Sequence, residues 1–238
     1  MIDRTSSAKT TRMTDQKETP PLDPSEIECW IFDLDNTLYP AASNLFERVA
    51  ARITEFIKLE FDLGDEQATK LRRHTFRKHG TTLRGLMLEH NVDPERYLDY
   101  VHDIDVSDVA PDQPLTKALG RLPGRKIIYT NGSHGHAERI MKQIGVAAHF
   151  EGIFDIMAGD YVPKPNPEPY NRMIERFAIQ PSRSVMIEDM AKNLVPAAAL
   201  GMTTVWLRHD ADWASDGAEG DHVHHICDDL VDWLESLF

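Results

Sequence analysis

Two carboxylates, Asp33 and Asp35, stand one residue apart where the apolar run IECWIFD (27–33) passes into LDNTLYP. A short, β-rich apolar run reads as a buried strand. Asp33 then lies at its carboxyl end and Asp35 in the turn beyond. Paired carboxylates at such a rim can hold a hard cation such as Mg²⁺. They can also divide into a nucleophile and an acid–base group. Two turn-forming or helix-capping aspartates share this spacing, so D-x-D alone does not separate the readings. The strand before the pair and NTLYP after it favour chemistry.

Three further places carry matching residue types. Thr130 and Asn131, in IIYTNGS, close a second apolar run. A hydroxyl and the backbone N–H groups opened up by Gly132 suit a phosphoryl oxygen, and the helix that follows adds partial positive charge. A plain strand-to-helix cap is the competing reading. Lys164, in YVPKPNPEPY, is fixed between prolines, which suits a point charge that balances negative ligands; a solvated turn lysine is the alternative. Glu188 and Asp189 end a further strand, in VMIEDMAKN. Two acids there are costly unless paired or metal-bound. Asp189 can complete an oxygen-rich Mg²⁺ site with Asp33 and Asp35, or simply cap a helix, while Asn193 caps or orients its neighbours.

The elements that must position these groups follow a regular alternation. Strand-like runs recur at 125–130, 153–159, 184–189 and 203–207, with a weaker one at 222–227. Helical patterns fill 135–145, 167–178, 192–200 and 228–237. This predicts a parallel sheet covered on both faces, a doubly wound (Rossmann-like) α/β core whose ligands sit at the carboxyl ends of the strands. One interval breaks the pattern. Helices are predicted at 43–60, 65–79, 82–90 and 94–103, the last opened by Asp93 as N-cap and Pro94. They form an inserted all-α helical cap, and VSDVAPDQP (106–114) reads as its return linker. The expected division is a disordered tail over 1–25, a core over 26–40 and 111–238, and a cap over 41–110. Met13, within the tail, is a second candidate start.

Composition narrows the function classes. The 238 residues hold 26 Lys and Arg against 39 Asp and Glu, a net charge of −13. An acidic surface argues against nucleic acid as the main partner. It also obliges an anionic substrate to find local positive charge or a metal ion. No apolar run approaches the ~18 residues of a membrane span, and the polar N-terminus is no secretory signal. Two cysteines, Cys29 and Cys227, match no zinc spacing or disulfide framework. Inert thiols in a reducing cytoplasm are expected. No heptad pattern specifies an oligomer.

In order, DLDNTLYP, YTNGS, KPNPEPY and IEDMAKN resemble the motifs of the haloacid dehalogenase superfamily of phosphohydrolases, over about Ile27 to Leu207. NTLYP with GTTLRGL, DPERYL, VHDID and PGRKIIYTNG is similar to its pyrimidine 5′-nucleotidase group. The resemblance implies Asp33 as nucleophile, forming an aspartyl-phosphate. Asp35 would protonate the leaving alkoxide and then deprotonate the hydrolytic water, which asks for a raised pKa. Mg²⁺ would be held by the Asp33 carboxylate, the Asp35 backbone carbonyl and the Asp189 carboxylate, with Glu188 behind them or bridged by water. Thr130 and the Asn131 amide would grip the phosphoryl group and Lys164 would neutralise it. Dehalogenases of the superfamily usually carry an aromatic residue where Asp35 stands, so phosphate-ester hydrolysis is favoured.

The expected substrate is a small phosphate monoester, first a pyrimidine nucleoside monophosphate. Phosphoglycolate, a sugar phosphate, a phosphomutase reaction and an idle binding module on the same fold are the rivals. Substrate choice is expected in the cap, with the Tyr39–Leu45 loop and the surroundings of Arg84 as candidate contacts; His102 and Asp103 have no assigned place. His134 and His136 follow the Thr130 motif close to the phosphate cradle; lining the crevice is one reading, and surface residues at a helix start the more ordinary one. His222, His224 and His225 read as a polar edge strand rather than a metal site. Trp30, Trp206, Trp213 and Trp233 read as core packing.

Overall fold

The computed structural model describes residues 22–40, 43–209 and 214–238. Its sheet is built on the two-residue period of buried strands. In β1 (Cys29–Phe32), Trp30 and Phe32 enter one apolar cluster, with Ile128, Val185 and Ile187. Cys29 and Ile31 enter another, with Ile127, Tyr129 and Met186. A strand with apolar residues on both sides must be covered on both sides. The others are β2 (Arg125–Tyr129), β3 (Gly152–Phe154), β4 (Ser184–Glu188), β5 (Thr203–Leu207) and β6 (His225–Cys227).

Every pairing is parallel, in the order β3-β2-β1-β4-β5-β6, with Ile31 level with Ile127 on one side and Met186 on the other. Connections run to opposite sides from β1, which makes the ends of β1, β2 and β4 the topological switch point where ligands bind. One face is covered by α5 (Gln113–Arg121), α6 (His134–Ile144) and α9 (Leu230–Glu235). The other is covered by α7 (Pro167–Phe177) and the short α8 (Val195–Ala199). The core is thus doubly wound, as expected.

Between β1 and α5 come α1 (Leu45–Phe61), α2 (Asp65–His79), α3 (Thr82–His90) and α4 (Pro94–Val101). This helical cap has its own apolar centre, which includes Phe56, Ile57, Leu86 and Leu98. Local signals set its turns. Thr81 accepts from the Arg84 N–H and Asp93 from the Arg96 N–H, while Asn91 ends α3 in the left-handed region at φ 54°.

Several predicted elements change on inspection. The run 153–159 is a strand only to Phe154, because the Asp155 carboxylate takes the N–H groups of His134 and Ala158 and turns the chain. Helix α5 falls partly in the segment read as a linker. Asp112 and Pro114 are its N-terminal signals, and Leu115, Ala118 and Leu119 its buried stripe. The 192–200 pattern divides into a 3₁₀ turn (Ala191–Leu194) and α8. In 222–227 only the last three residues pair, since the His224 ring accepts from the Thr204 N–H. Cys29 and Cys227 are buried free thiols, pushed up to about 11 and about 12 by burial. Trp30 and Trp206 are buried and Trp233 is half-buried. Trp213, Met13 and residues 1–21 of the expected tail lie outside the described residues. Within the remainder of that tail, Asp23 caps a 3₁₀ turn at Pro24–Glu26. No described helix is long and apolar enough to cross a membrane.

Gly85 marks the tightest helix contact in the cap: a Cβ there would lie 2.5 Å from Cβ of the buried Thr75. On an open helix, Gly→Ala stabilises by about 1 kcal/mol. At Gly85 the same change should instead destabilise by about 1–3 kcal/mol through overpacking. Urea unfolding of Gly85→Ala reads the sign directly, and a gain would show that α2 and α3 are not held at this distance.

Candidate active site

Four buried charges meet at the switch point. The Asp33 N–H still bonds the Ile187 carbonyl at 2.9 Å, so the first residue past β1 is fixed by the β4 ladder. Lys164 arrives on the loop before α7, its N–H held by Asn131 Oδ1 at 2.9 Å. Its Nζ donates to Asp33 Oδ1 at 2.7 Å, Glu188 Oε2 at 2.9 Å and the Tyr129 carbonyl at 2.9 Å. All three ammonium protons are used. Asn193 Nδ2 donates to the other Glu188 oxygen, and Asn193 is itself placed by the Tyr170 hydroxyl on its carbonyl. Trp206 Nε1 donates to the Asp189 carbonyl at 2.8 Å, and His209 Nε2 lies 3.1 Å from Asp189 Oδ2.

The electrostatics of this floor are unbalanced. Asp33, Glu188 and Asp189 are 6%, 1% and 3% exposed, yet Lys164 is the cation between the first two. Burial, then the Glu188 charge, drives the Asp33 carboxyl well up despite Lys164. Burial also raises Glu188, against the pull of Lys164. Burial alone would lower Lys164, but Asp33 and Glu188 outweigh it and hold the ammonium protonated. Oxygens of Asp33, Glu188 and Asp189 all lie within 4.8 Å of one another. Asn193 Oδ1, beside them, is buried with no hydrogen bond among the described residues. A surplus of buried oxygen donors with uncompensated negative charge fits a hard divalent cation. Glu188, expected behind the metal ligands, stands in the same cluster with one oxygen taken by Lys164 and the other by Asn193.

Asp35 departs from expectation. Its carboxylate turns away from that cluster and accepts from the Tyr39 hydroxyl, with His136 Nε2 at 3.1 Å from the same oxygen. Burial pushes the carboxyl up, but His136 and Tyr39 together overcome it and hold Asp35 down at about 2. The raised pKa expected for Asp35 is therefore corrected. His136 is not the surface residue of the more ordinary reading: it is 1% exposed. It stacks on His102, with ring centroids 4.3 Å apart. The His102 ring in turn meets Ser133 Oγ at 2.8 Å and is pushed down to about 3, by burial first and then by His136. The missed signal was spacing: His136, Ile140 and Ile144 lie on the buried stripe of α6.

The phosphate-cradle residues lie at the same rim. Thr130 is buried and its hydroxyl accepts from the Gly132 N–H at 2.8 Å. Gly132 packs closely here, since a Cβ there would lie 3.2 Å from Thr130 Oγ1 and 3.3 Å from His136 Cδ2. A cavity of about 460 Å³ opens above, lined by Asp33, Asp35, Asn131, Lys164, Glu188, Asp189 and Asn193 on the core side. Helices α1–α4 close it from above, with Lys192 of the core 5.8 Å from the Phe76 ring of α2. Arg84 does not line it; Arg72 and Arg73 do. Of the Tyr39–Leu45 loop, Tyr39 holds Asp35, and residues 41–42 lie outside the described ones. A half-free carboxylate beside a fixed ammonium, a second carboxylate with donors of its own and a cation-seeking cluster together suit acyl- or phosphoryl-type group transfer to Asp33.

A protein-family model described as a haloacid dehalogenase-like hydrolase matches residues 27–201. "Phosphate metabolism protein 8" of Saccharomyces cerevisiae is 26% identical over 208 residues, covering 79% of this chain and 63% of that protein. The chain thus spans less than two thirds of that relative's length. Among solved structures, a phosphatase of the same family from Thermococcus onnurineus superposes with a TM-score of 0.59 at 16% identity, covering 89% of this chain and 98% of that one. An L-2-haloacid dehalogenase from Xanthobacter autotrophicus gives 0.55 at 15% identity, with 88% and 97% covered. These two likenesses speak to the fold.

The low Asp35 pKa carries a stability consequence. Its stabilising effect is complete above the ordinary carboxylate value of 3.8 and is lost as pH falls toward about 2. With one-fifth of the side chain exposed, the difference amounts to at most about 2 kcal/mol. Urea unfolding at pH values from 5 down to 2.5 should show wild type losing stability more steeply than Asp35→Asn. Parallel slopes would mean that Tyr39 and His136 do not hold this carboxylate ionised.

Proposed function

The chain belongs to the haloacid dehalogenase-like hydrolases, and from that premise we propose that it is a Mg²⁺-dependent phosphatase of small phosphate monoesters, working through an aspartyl-phosphate. Lys164 occupies Asp33 Oδ1, which leaves Oδ2 to attack phosphorus. The new bond is Asp33 O–P, the bond broken is P–O of the ester, and the alkoxide leaves toward Asp35. Thr130, the Asn131 amide and Lys164 would grip the phosphoryl oxygens. Asp33, Asp189 and the Asp35 backbone carbonyl would hold Mg²⁺, with Glu188 adjoining, and the ion supplies positive charge against those oxygens.

Asp35 does two jobs in this scheme. Ionised, as His136 and Tyr39 hold it, it is ready to take a proton from the water that hydrolyses Asp33 O–P. To protonate the alkoxide it would first take up one proton from solvent as the substrate binds, since the negative phosphoryl group arriving beside it raises its proton affinity. Fixing of the carboxylate by Tyr39 and His136 gives both transfers one geometry.

The observation that carries the substrate reading is the cavity. It joins the Asp33–Lys164 floor to an apolar cap wall that includes Phe46, Val49, Ile53 and Phe76. At about 460 Å³ it is in the range that encloses a ligand of drug or nucleoside size. Phosphoglycolate would leave most of it unfilled, and a bare sugar phosphate would set hydroxyls against apolar walls. A pyrimidine nucleoside 5′-monophosphate, a 5′-nucleotidase substrate, fits both ends. Residues 41–110 then act as the cap that selects the leaving group, on a core of 26–40 and 111–238. The name of the yeast relative, phosphate metabolism, is in keeping. Buried free Cys29 and Cys227 suit a reducing cytoplasm.

Phosphate release from UMP, CMP, AMP, phosphoglycolate and ribose 5-phosphate, each with Mg²⁺ and with EDTA, tests this. Activity should need Mg²⁺, fall at least ~10³-fold in Asp33→Asn, and rank UMP and CMP first. Full activity in Asp33→Asn or in EDTA would defeat the phosphatase reading. An unranked panel would defeat the nucleotide reading alone.

A further inference from the structure

The Asp189 carboxylate has a support that the other acids of its cluster lack. Lys164 spends its ammonium protons on Asp33, Glu188 and the Tyr129 carbonyl, and Asn193 Nδ2 goes to Glu188. What reaches the Asp189 side chain among the described residues is His209, whose Nε2 lies 3.1 Å from Oδ2. An ionised carboxylate only accepts, so this nitrogen carries the proton. The Asp189 side chain is 4% exposed and that of His209 20%, which keeps water largely away from the bond.

The sheet delivers His209 to this position. Strand β5 lies in register beside β4 with Trp206 level with Glu188, and the Trp206 indole N–H reaches the Asp189 carbonyl at 2.8 Å. Just past β5, the Arg208 N–H bonds the Cys227 carbonyl at 2.8 Å, which fixes the backbone one residue before His209. One strand exit thus grips Asp189 twice, by its main chain and by its side chain. A bond from a neutral ring also differs from one to a second ammonium. It fixes the rotation of the carboxylate without cancelling its charge, and so keeps the charge deficit that a divalent cation would fill. Partners behind a metal-binding carboxylate commonly act in this way.

We infer that His209 is a positioning residue of the cation site and holds the Asp189 carboxylate toward Asp33 and Glu188. The inference rests on the cation reading above. It adds the residue that presets Asp189 within the cluster, whose three oxygens lie within 4.8 Å of one another. Without His209 the Asp189 side chain must be ordered at the moment of binding, and that cost comes out of the affinity.

Titration calorimetry of Mg²⁺ into the substrate-free full chain, with thermal melts in Mg²⁺ and in EDTA, separates this role from a merely structural one. His209→Ala should weaken Mg²⁺ binding by about 10- to 100-fold. It should also lose most of the Mg²⁺-dependent rise in melting temperature, while its melt in EDTA stays close to that of wild type. His209→Gln keeps an N–H donor and should recover most of the affinity. Tighter binding in His209→Ala, the result expected of a ring that supplies only a competing charge, would overturn the inference. So would a melt lowered equally in Mg²⁺ and in EDTA with affinity unchanged, or a His209→Gln variant as weak as His209→Ala. Wild type that binds no Mg²⁺ would overturn the cation reading and this inference together, whereas binding that survives undiminished in both His209 variants overturns the inference alone.

Discussion

The site depends on one buried ammonium. Lys164 Nζ sits between Asp33 and Glu188 with a third bond to the Tyr129 carbonyl. Remove it, and carboxylates at the ends of β1 and β4 would face one another without water or a counter-charge, a penalty far larger than any single surface ion pair recovers. With it, the floor is still short of positive charge, because Asp189 joins the same cluster. The rest of the molecule can be understood as what is needed to keep that ammonium in place and that deficit open toward a ligand.

The sheet does most of this. Asp33 and Glu188 come into range because β1 and β4 are neighbours in register, Phe32 level with Ile187. Tyr129 is there because β2 lies on the other side of β1. Lys164 is not on a strand, and its placement falls to the Asn131 amide oxygen and the flanking prolines. The cap adds a roof and approaches the Lys164 loop at Gly80, where a Cβ would lie 3.3 Å from Pro163 Cγ and 3.5 Å from the Lys164 carbonyl oxygen. Asp35 bridges the two levels, with Tyr39 from the exit of β1, His136 from α6 and, behind it, His102 from the end of α4. His136, stacked on His102, and the Tyr39 hydroxyl give Asp35 fixed donors that the floor does not supply.

Much of this was legible in the sequence because its signals are local. Asp33, Thr130 and Glu188 follow uninterrupted apolar runs, and the strand ends of a parallel sheet converge. Asp93 announces its helix by a side-chain cap. What was hidden depends on partners distant in sequence. The direction of the Asp35 shift needs His136, 101 residues away. The end of β3 needs Asp155 to find the His134 N–H across 21 residues. Helix α5 was passed over because Asp112 and Pro114 serve equally as linker and helix-start residues, and only Leu115 and Leu119 meeting the core decide between them.

The proposed cation site rests on the cluster of Asp33, Glu188 and Asp189, which holds more negative charge than Lys164 can balance. Titration calorimetry of Mg²⁺ into the substrate-free protein, with thermal melts alongside, tests it most directly. The account predicts one ion bound per chain, a melting temperature that rises with Mg²⁺ by mass action, and at least tenfold weaker binding in Asp189→Asn. No heat and no shift in wild type, or an undiminished response in Asp189→Asn, would contradict it.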